Sequence, residues 1–497
     1  MQHMGTKHRT FAALTLLIAS ISWAQQPGGI ALAQDAIPPD ALEKMDRREL
    51  GDSWRADLAP KLRNAHELLE KYFSSKSTPE RAAAVKELVA TKINPNVLGR
   101  LCRIRPFWPQ IDGGVYYINE KVGPHQVMYF VGVPKNYDRS IAWPLVIKLP
   151  AEHLFVTNPR PGPEEVTKIY TDWIRDELAK HPDAVILMPV LNLDELWGPS
   201  YAGVNSVSQP MYHIAGRLNI DPARVYMLGH AMSAHATWNL ALHYPTYFAA
   251  INPMAGGTGG AWQKVRIVNL RNIFCVVWHD ANDTQIKVDA SREMVKILRN
   301  FKYDVDYEET KGVGHAPTDE IAERLYQKMR SRTRELYPKE VVHGSNRPDA
   351  LYNRNDWVQV YQMLNSGGEK KYRIQYGSGF ITQSANSYKI SAAMTALNKI
   401  EVKSENVEVM RFYLNEQTAE FSRPITVIVN GKVRFEGKVQ PSVEEMLKDQ
   451  LFLGRGWRYF TAFIDIDFSN LGTTKPATQP TTRPKGIIEV FPDPRKP

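Results

Sequence analysis

The chain is poor in cysteine, with two in 497 residues, Cys102 and Cys275. That excludes a fold stapled by disulfides. Cys275, inside Ile273-Phe274-Cys275-Val276-Val277-Trp278, reads as a small core hydrophobe in a buried strand rather than as a disulfide partner. No CxxC or HExxH spacing occurs, so no metal site is expected. A nucleotide-binding glycine loop is also missing, so no cofactor is expected. Internal repeats are absent. The net charge of +9 is spread without a Lys/Arg run, which points to a solvated surface and away from a nucleic-acid partner. The apolar run at 11–19 is too short to cross a bilayer as a mature helix, so no stable membrane span is expected.

What is present suits large cores. Hydrophobic residues make up 43% and charged residues 23%, and the length suggests two or three domains. Lys7, His8 and Arg9 precede the apolar run, and Ser22-Trp23-Ala24 follows it. A charged stretch, a short apolar stretch and a small-x-small cut read as a signal peptide over 1–24, with an alternative cut after Ala33. The expectation is an exported protein, periplasmic or extracellular.

Residues 40–105 set Leu58, Leu62, Ala65, Leu68, Leu69 and Tyr72 at helical spacing, which predicts two or three amphipathic helices. Ser77-Thr78-Pro79-Glu80 reads as a helix start. From 111 to 340 the pattern is different. Strand-like runs at 115–118 and 127–133 come first. Apolar runs at 144–149, 184–188, 225–228, 274–278 and 303–308 then alternate with helical stretches at 209–218, 233–243, 291–300 and 318–337. Continuous apolar strands alternating with helices mean an α/β domain, a doubly wound and mostly parallel sheet covered on both faces. Residues 345–470 read as short strands, with Asn430-Gly431 as a two-residue hairpin turn, and predict a β-sandwich-like domain. The Thr/Pro-rich stretch 473–497 reads as a disordered or extended tail.

The chemistry is written after the strand at 225–228. Arg224 to Trp238 turns sharply from strand to helix, the pattern of a nucleophile elbow, in which G-x-S-x-G exposes a hydroxyl on a strained corner. Gly229 takes the first glycine position and Ser233 the second small position, but Ala231 occupies the place of the nucleophile. A methyl group cannot attack a carbonyl. Ser233 lies two residues further along the helix, turned by about 200° from position 231, and fills the slot that needs a small residue. Two loops follow in chain order, Trp278-His279-Asp280-Ala281-Asn282-Asp283 and Gly312-Val313-Gly314-His315. Nucleophile, acid, histidine is the order of α/β-hydrolases, each on a loop at the carboxyl edge of the sheet.

Several phrases then match together: Val131-Gly132-Val133-Pro134-Lys135-Asn136-Tyr137-Asp138, Pro144-Leu145-Val146-Ile147, Gly229 through Ala241, Tyr244-Pro245, Phe248-Ala249-Ala250 and Met254-Ala255-Gly256-Gly257. On these, residues 127–330 resemble the secreted esterase and peptidase branch of the α/β-hydrolases: feruloyl esterases, polyhydroxybutyrate depolymerases and prolyl-oligopeptidase-like peptidases. The resemblance implies an α/β-hydrolase fold, Asp283 as the acid, His315 as the base, and a small-molecule or polymeric ester or peptide as substrate. Asp283 has a rival role as a cap on the turn into the following helix. Asp280 is the lesser candidate for the acid. His230, His235 and His243 read as structural.

The oxyanion side also departs from the pattern. Relatives carry His-Gly after the strand that ends at Leu149, where this chain has Pro150-Ala151-Glu152-His153. Proline has no N–H, and Glu152 would repel a developing oxyanion. The backbone N–H groups of Ala151 (or Glu152) and Met232 are the candidate donors. Retained Asp283 and His315 favour a recent or engineered loss of serine, whereas Pro150-Ala151 favours divergence. Two readings stay open. One is a serine-hydrolase scaffold without its nucleophile. The other is a non-catalytic binding protein for a polysaccharide, peptide or polyester, with Trp143, Trp173, Trp197 and Trp262 as candidate stacking surfaces. Substrate-selecting loops are expected at 152–172 and 192–210.

Overall fold

The computed structural model describes residues 36–469 except 123–124, 151–161, 191–200, 259, 348–352, 365–368 and 377–378. Residues 1–24, expected to be a signal peptide, the stretch 473–497, and Ala151, Glu152, His153 and Trp197 lie outside the described residues. No described helix is long and apolar enough to cross a membrane.

Four helices open the described chain: α1 (Pro39–Leu50), α2 (Ala59–Ser74), α3 (Thr78–Ala90) and α4 (Pro95–Leu101). At the start of α3 the Ser77 side chain accepts the Glu80 N–H and proline sits in the first turn, where its missing N–H costs nothing. Leu62, Ala65, Leu69 and Tyr72 of α2 are buried against Leu88, Leu98 and Leu101.

An eight-stranded sheet follows. In chain order come β1 (Gly114–Val122), β2 (His125–Val133), β3 (Trp143–Leu149), α5 (Pro163–Lys180), β4 (Val185–Pro189), α6 (Tyr201–Arg217) and β5 (Ile220–His230). Then come α7 (Met232–His243), β6 (Ala250–Met254), α8 (Ala261–Arg266), β7 (Phe274–Asp280), α9 (Asp289–Asn300), β8 (Val305–Thr310) and α10 (Asp319–Arg330). The strand order is β1-β2-β4-β3-β5-β6-β7-β8. β2 runs antiparallel to β1 and β4, and the pairs from β4 to β8 are parallel. This is an α/β-hydrolase sheet. β4, β6 and β7 are buried along their whole length, as strands covered by helices on both faces must be.

Two helices differ from their predicted bounds. α6 begins at Tyr201 and not at 209, and it carries Pro210 inside it. Val207, Met211, Ile214 and Leu218 keep a buried stripe through that proline, so packing outweighs the missing N–H. α10 ends at Arg330, seven residues before the predicted end at 337. The chain leaves the helix there and buries Arg334, whose guanidinium meets Asp356. Of the expected substrate loops, residues 163–172 belong instead to α5, and 201–210 to α6.

The remainder is β-rich. It comprises β9 (Glu340–Ser345), β10 (Arg354–Asn355), β11 (Val358–Met363), β12 (Glu369–Tyr376), β13 (Gly379–Asn386), β14 (Tyr388–Ala396), β15 (Lys399–Glu405) and β16 (Val407–Leu414). After these come β17 (Ile425–Val429), β18 (Lys432–Gly437), α11 (Val443–Leu453) and β19 (Ala462–Asp467). The sheets β10-β11-β16-β19 and β18-β17-β15-β14-β9 share one core with Trp357, Phe412, Val427 and Ile464, and β12-β13 form a separate ribbon. Asn430-Gly431 joins β17 to β18, as the turn chemistry predicts. The β-rich region starts with β9, within 340–345, because β9 pairs with β14. Helix α11 was not foreseen. Its Val443, Met446 and Leu447 bury against α2, α3 and α4. Cys102 and Cys275 are buried free thiols, Cys102 beside Met446 and Cys275 in β7.

Candidate active site

Every candidate residue on the described chain follows the carboxyl end of a parallel strand. Ala231 stands between β5 and α7 with φ 57° and ψ −120°, a conformation that costs a residue with a Cβ. Its N–H donates to the Met254 carbonyl at 2.9 Å, and its own carbonyl accepts from Ala234 at 3.0 Å. Two glycines make room for the corner. A Cβ on Gly229 would lie 2.3 Å from the Ser233 carbonyl oxygen, and one on Gly256 would lie 2.7 Å from the Ala234 Cβ. Chain and geometry therefore agree on an elbow centred on residue 231.

Ser233 faces away from that corner's exposed side. It is fully buried, and its hydroxyl donates to the Pro150 carbonyl at the end of β3. Met232, the first residue of α7, is 50% exposed next to Ala231. Ala151, the other candidate oxyanion donor, lies outside the described residues.

Asp283 is fully enclosed and His315 is 16% exposed, with 2.8 Å between the Asp283 Oδ2 and the His315 Nδ1. The other carboxylate oxygen accepts the N–H groups of Gln285 at 2.8 Å and Ile286 at 3.1 Å. Asp283 thus caps its turn and meets His315 at once, so its two expected roles do not compete. Burial pushes its carboxyl up, but the hydrogen bonds from His315, Ile286 and Gln285 outweigh that and hold it below the ordinary value of 3.8. An ionised Asp283 accepts a hydrogen bond from the Nδ1–H of His315 and leaves Nε2 as the acceptor nitrogen.

Asp280 is occupied elsewhere. It accepts from Thr310 Oγ1 at 2.8 Å and from the N–H groups of Asn282 at 2.8 Å, Val313 at 2.9 Å and Gly312 at 3.2 Å. Burial raises its pKa, yet these four donors bring it down to about 2. Asp280 fixes the loop that carries His315.

Two histidines complete the arrangement, and no pattern along the chain signals what they touch. His230, adjacent to Ala231, donates from Nε2 to the His315 carbonyl at 2.8 Å, with the two rings 4.7 Å apart. His279 is fully buried beneath Asp283. Its Nε2 lies 3.2 Å from Asp283 Oδ2 and 2.9 Å from the Ile286 carbonyl, both acceptors, so that nitrogen carries a proton. Its Nδ1 lies 2.8 Å from Ser291 Oγ, which in turn lies 2.9 Å from the Gly256 carbonyl oxygen. A continuous chain therefore runs from His315 through Asp283, His279 and Ser291 to the β6–α8 loop. The only hint in the sequence was the position of His279 at a strand end.

His235 and His243 are structural. Burial lowers the pKa of both His235 and His243, the latter to about 3, and each has an Nδ1 bond to a carbonyl, of Gly257 and Asn239 respectively. Trp143 is buried with its N–H on the Asp138 carbonyl, so it offers no stacking surface. Among the described residues, no group of three or more His, Cys, Asp and Glu side chains could hold a metal ion.

No family model matches the chain, and no curated protein matches it. Solved structures do. A thermostable esterase is 21% identical over 45% of this chain, with a TM-score of 0.36, and the match takes in 64% of that esterase, less than two thirds of its length. A ferulic acid esterase from Anaeromyces mucronatus, in complex with ferulic acid, is 15% identical over 44% of this chain and 90% of its own, with a TM-score of 0.34. An S-formylglutathione hydrolase from Staphylococcus aureus is 13% identical over 44% of this chain and 98% of its own, with a TM-score of 0.35.

Proposed function

We propose that the chain is a serine-hydrolase framework for ester or peptide bonds in which Ala231 stands where the nucleophile belongs, so that it binds acyl substrates without forming an acyl-enzyme. One observation carries this reading. Ala231 keeps the strained φ of 57°, and the Asp283–His315 pair at 2.8 Å is held to it through His230. Backbone strain persists only where the surroundings impose it, and it clusters at functional sites.

In such a framework His315 Nε2 would take the proton of a hydroxyl at 231 and return it to the leaving group. Asp283 fixes the tautomer and stabilises the imidazolium that forms. The Met232 N–H, at the start of α7, would donate to the developing oxyanion. Ser233 is not a substitute, because its hydroxyl is buried and engaged with Pro150.

The test is Ala231→Ser, assayed on short p-nitrophenyl esters and aminoacyl substrates beside the parent chain. The expected result is turnover at least about a hundredfold above the parent, the modest end of what a triad nucleophile supplies. His315→Ala and Asp283→Asn in the serine background should abolish most of that gain. Silence of both proteins, with substrate analogues still bound, would leave the non-catalytic binding reading in its place.

A further inference from the structure

At the amino end of β5, the end opposite the elbow, a small cavity lies where three parts of the chain meet. Arg103, Arg105 and Trp108 come from the segment between α4 and β1, Ile220 from the start of β5, and Arg455 and Trp457 from beyond α11. Its free volume is about 20 Å³, room for roughly one water-sized group or a little more.

The charges around it do not balance. Arg103 has Glu49 at 3.3 Å, and Arg455 has Glu70 at 2.5 Å. Arg105 has no carboxylate at ion-pair distance among the described residues. Its guanidinium reaches only carbonyl oxygens, of Gly216 at 3.3 Å and Arg455 at 3.5 Å, both long for a charged donor. Burial and the neighbouring Arg455 lower its pKa to about 10, and the pull of Glu70 in the other direction does not outweigh them. Trp108 is 4% exposed, and its indole N–H has no partner. Buried charges and buried donors are normally matched. Here Arg105 and Trp108 line the same void, and each carries a buried donor that needs an acceptor.

We propose that this cavity binds one small anion, a halide or the carboxylate head of a small molecule, held by the Arg105 guanidinium and the Trp108 indole N–H. The small free volume favours a compact anion, and the charge excludes a cation. The anion would join the N-terminal segment, the sheet and the post-α11 segment, so its binding would stabilise their contact by mass action.

Chlorine NMR line widths of the full chain, titrated with sodium chloride at constant ionic strength, test this directly. The expected result is a saturable excess broadening that Arg105→Gln abolishes. Trp108→Phe, which keeps the ring and loses only the N–H, should weaken the apparent affinity about tenfold, the worth of one hydrogen bond to a charged group. Displacement by formate would assign a carboxylate head, and resistance to formate a halide. Absence of excess broadening, or broadening unchanged in Trp108→Phe, overturns the proposal, and that second variant keeps the test valid if Arg105→Gln fails to fold.

Discussion

Ala231 has φ 57° although it has a Cβ, and nothing at its own side chain repays that conformation. The strain is imposed by the Met254 carbonyl on its N–H and by the first turn of α7 on its C=O. Removing the Cβ should relieve it. Ala231→Gly is therefore expected to raise the unfolding free energy by about 1 kcal/mol, net of the extra backbone freedom of glycine in the unfolded chain. Urea unfolding of the two proteins would show it, and a loss of stability instead would mean the corner is relaxed. Asp280 makes a second prediction at this scale. Its pKa is depressed from 3.8 to about 2, so the stability it supplies is fully present above pH 3.8 and lost as pH falls through about 2. The stability gap between the parent and Asp280→Asn should shrink over that window, as measured by unfolding at stepped pH. A gap constant from pH 5 to 2 would remove Asp280 from the acid response. These residues also mark how far the sequence reaches into the site. Chain order points to the loops at 278–283 and 312–315, and the resemblance implies Asp283 and His315 within them; in the fold their side chains meet. The links through His279 and His230 depend on three-dimensional approach, and no spacing encodes them.

Among the elements, α11 shows why part of the fold escaped a reading by pattern. It lies in a region whose neighbours are short strands, and that context hid its own signals. Ser442-Val443-Glu444-Glu445 has the composition of a capping box, and the Ser442 side chain does accept the Glu445 N–H. Val443, Met446 and Leu447 then follow at helical spacing. The ribbon β12-β13 was half seen for a different reason: Thr382-Gln383-Ser384-Ala385-Asn386 alternates no apolar residues, so only its partner strand carried a signal. The strands β3, β4, β5 and β7 were legible because burial on both faces demands unbroken apolar runs, whereas β6, only five residues with Asn252 and Pro253 inside it, was not read as a strand. The apolar face of α11 leads to a prediction. Met446 is fully buried, with its sulfur 3.9 Å from the Cys102 thiol of the N-terminal helices. Met446→Ala should cost about 2–5 kcal/mol, as core truncations do. Hydrogen exchange should then show faster opening of α4 as well as α11. Exchange confined to α11 would mean that the N-terminal helices hold without it.

At the scale of the whole molecule, buried charge joins the three parts alongside the apolar face of α11. Asp356, at φ 46°, is completely enclosed and receives both Arg334 bonds, at 2.8 and 2.9 Å, with Arg458 at 3.4 Å. Arg334 also donates to the carbonyls of Phe248 and Asn272 in the α/β-hydrolase sheet region, each at 2.9 Å, and the Asp356 N–H donates to Thr246 Oγ1 at 2.9 Å. On the other side, Arg455 ties the segment after α11 to the carbonyls of Cys102 and Ile104. Replacing an enclosed ion pair by apolar groups is often harmless, but removing one partner strands the other, which costs about 3–5 kcal/mol. Asp356→Asn leaves two arginines without their counter-charge, so a loss of that order is expected. Because the same carboxylate holds the β-rich region to the loops after α7 and before β7, the loss should not free one part alone. Calorimetry should show the parent melting in a single transition, and the variant in a single transition at lower temperature. Two separated transitions in the parent would show that the β-rich region and the hydrolase sheet fold independently, and that the Arg334–Asp356–Arg458 cluster joins surfaces that are stable apart.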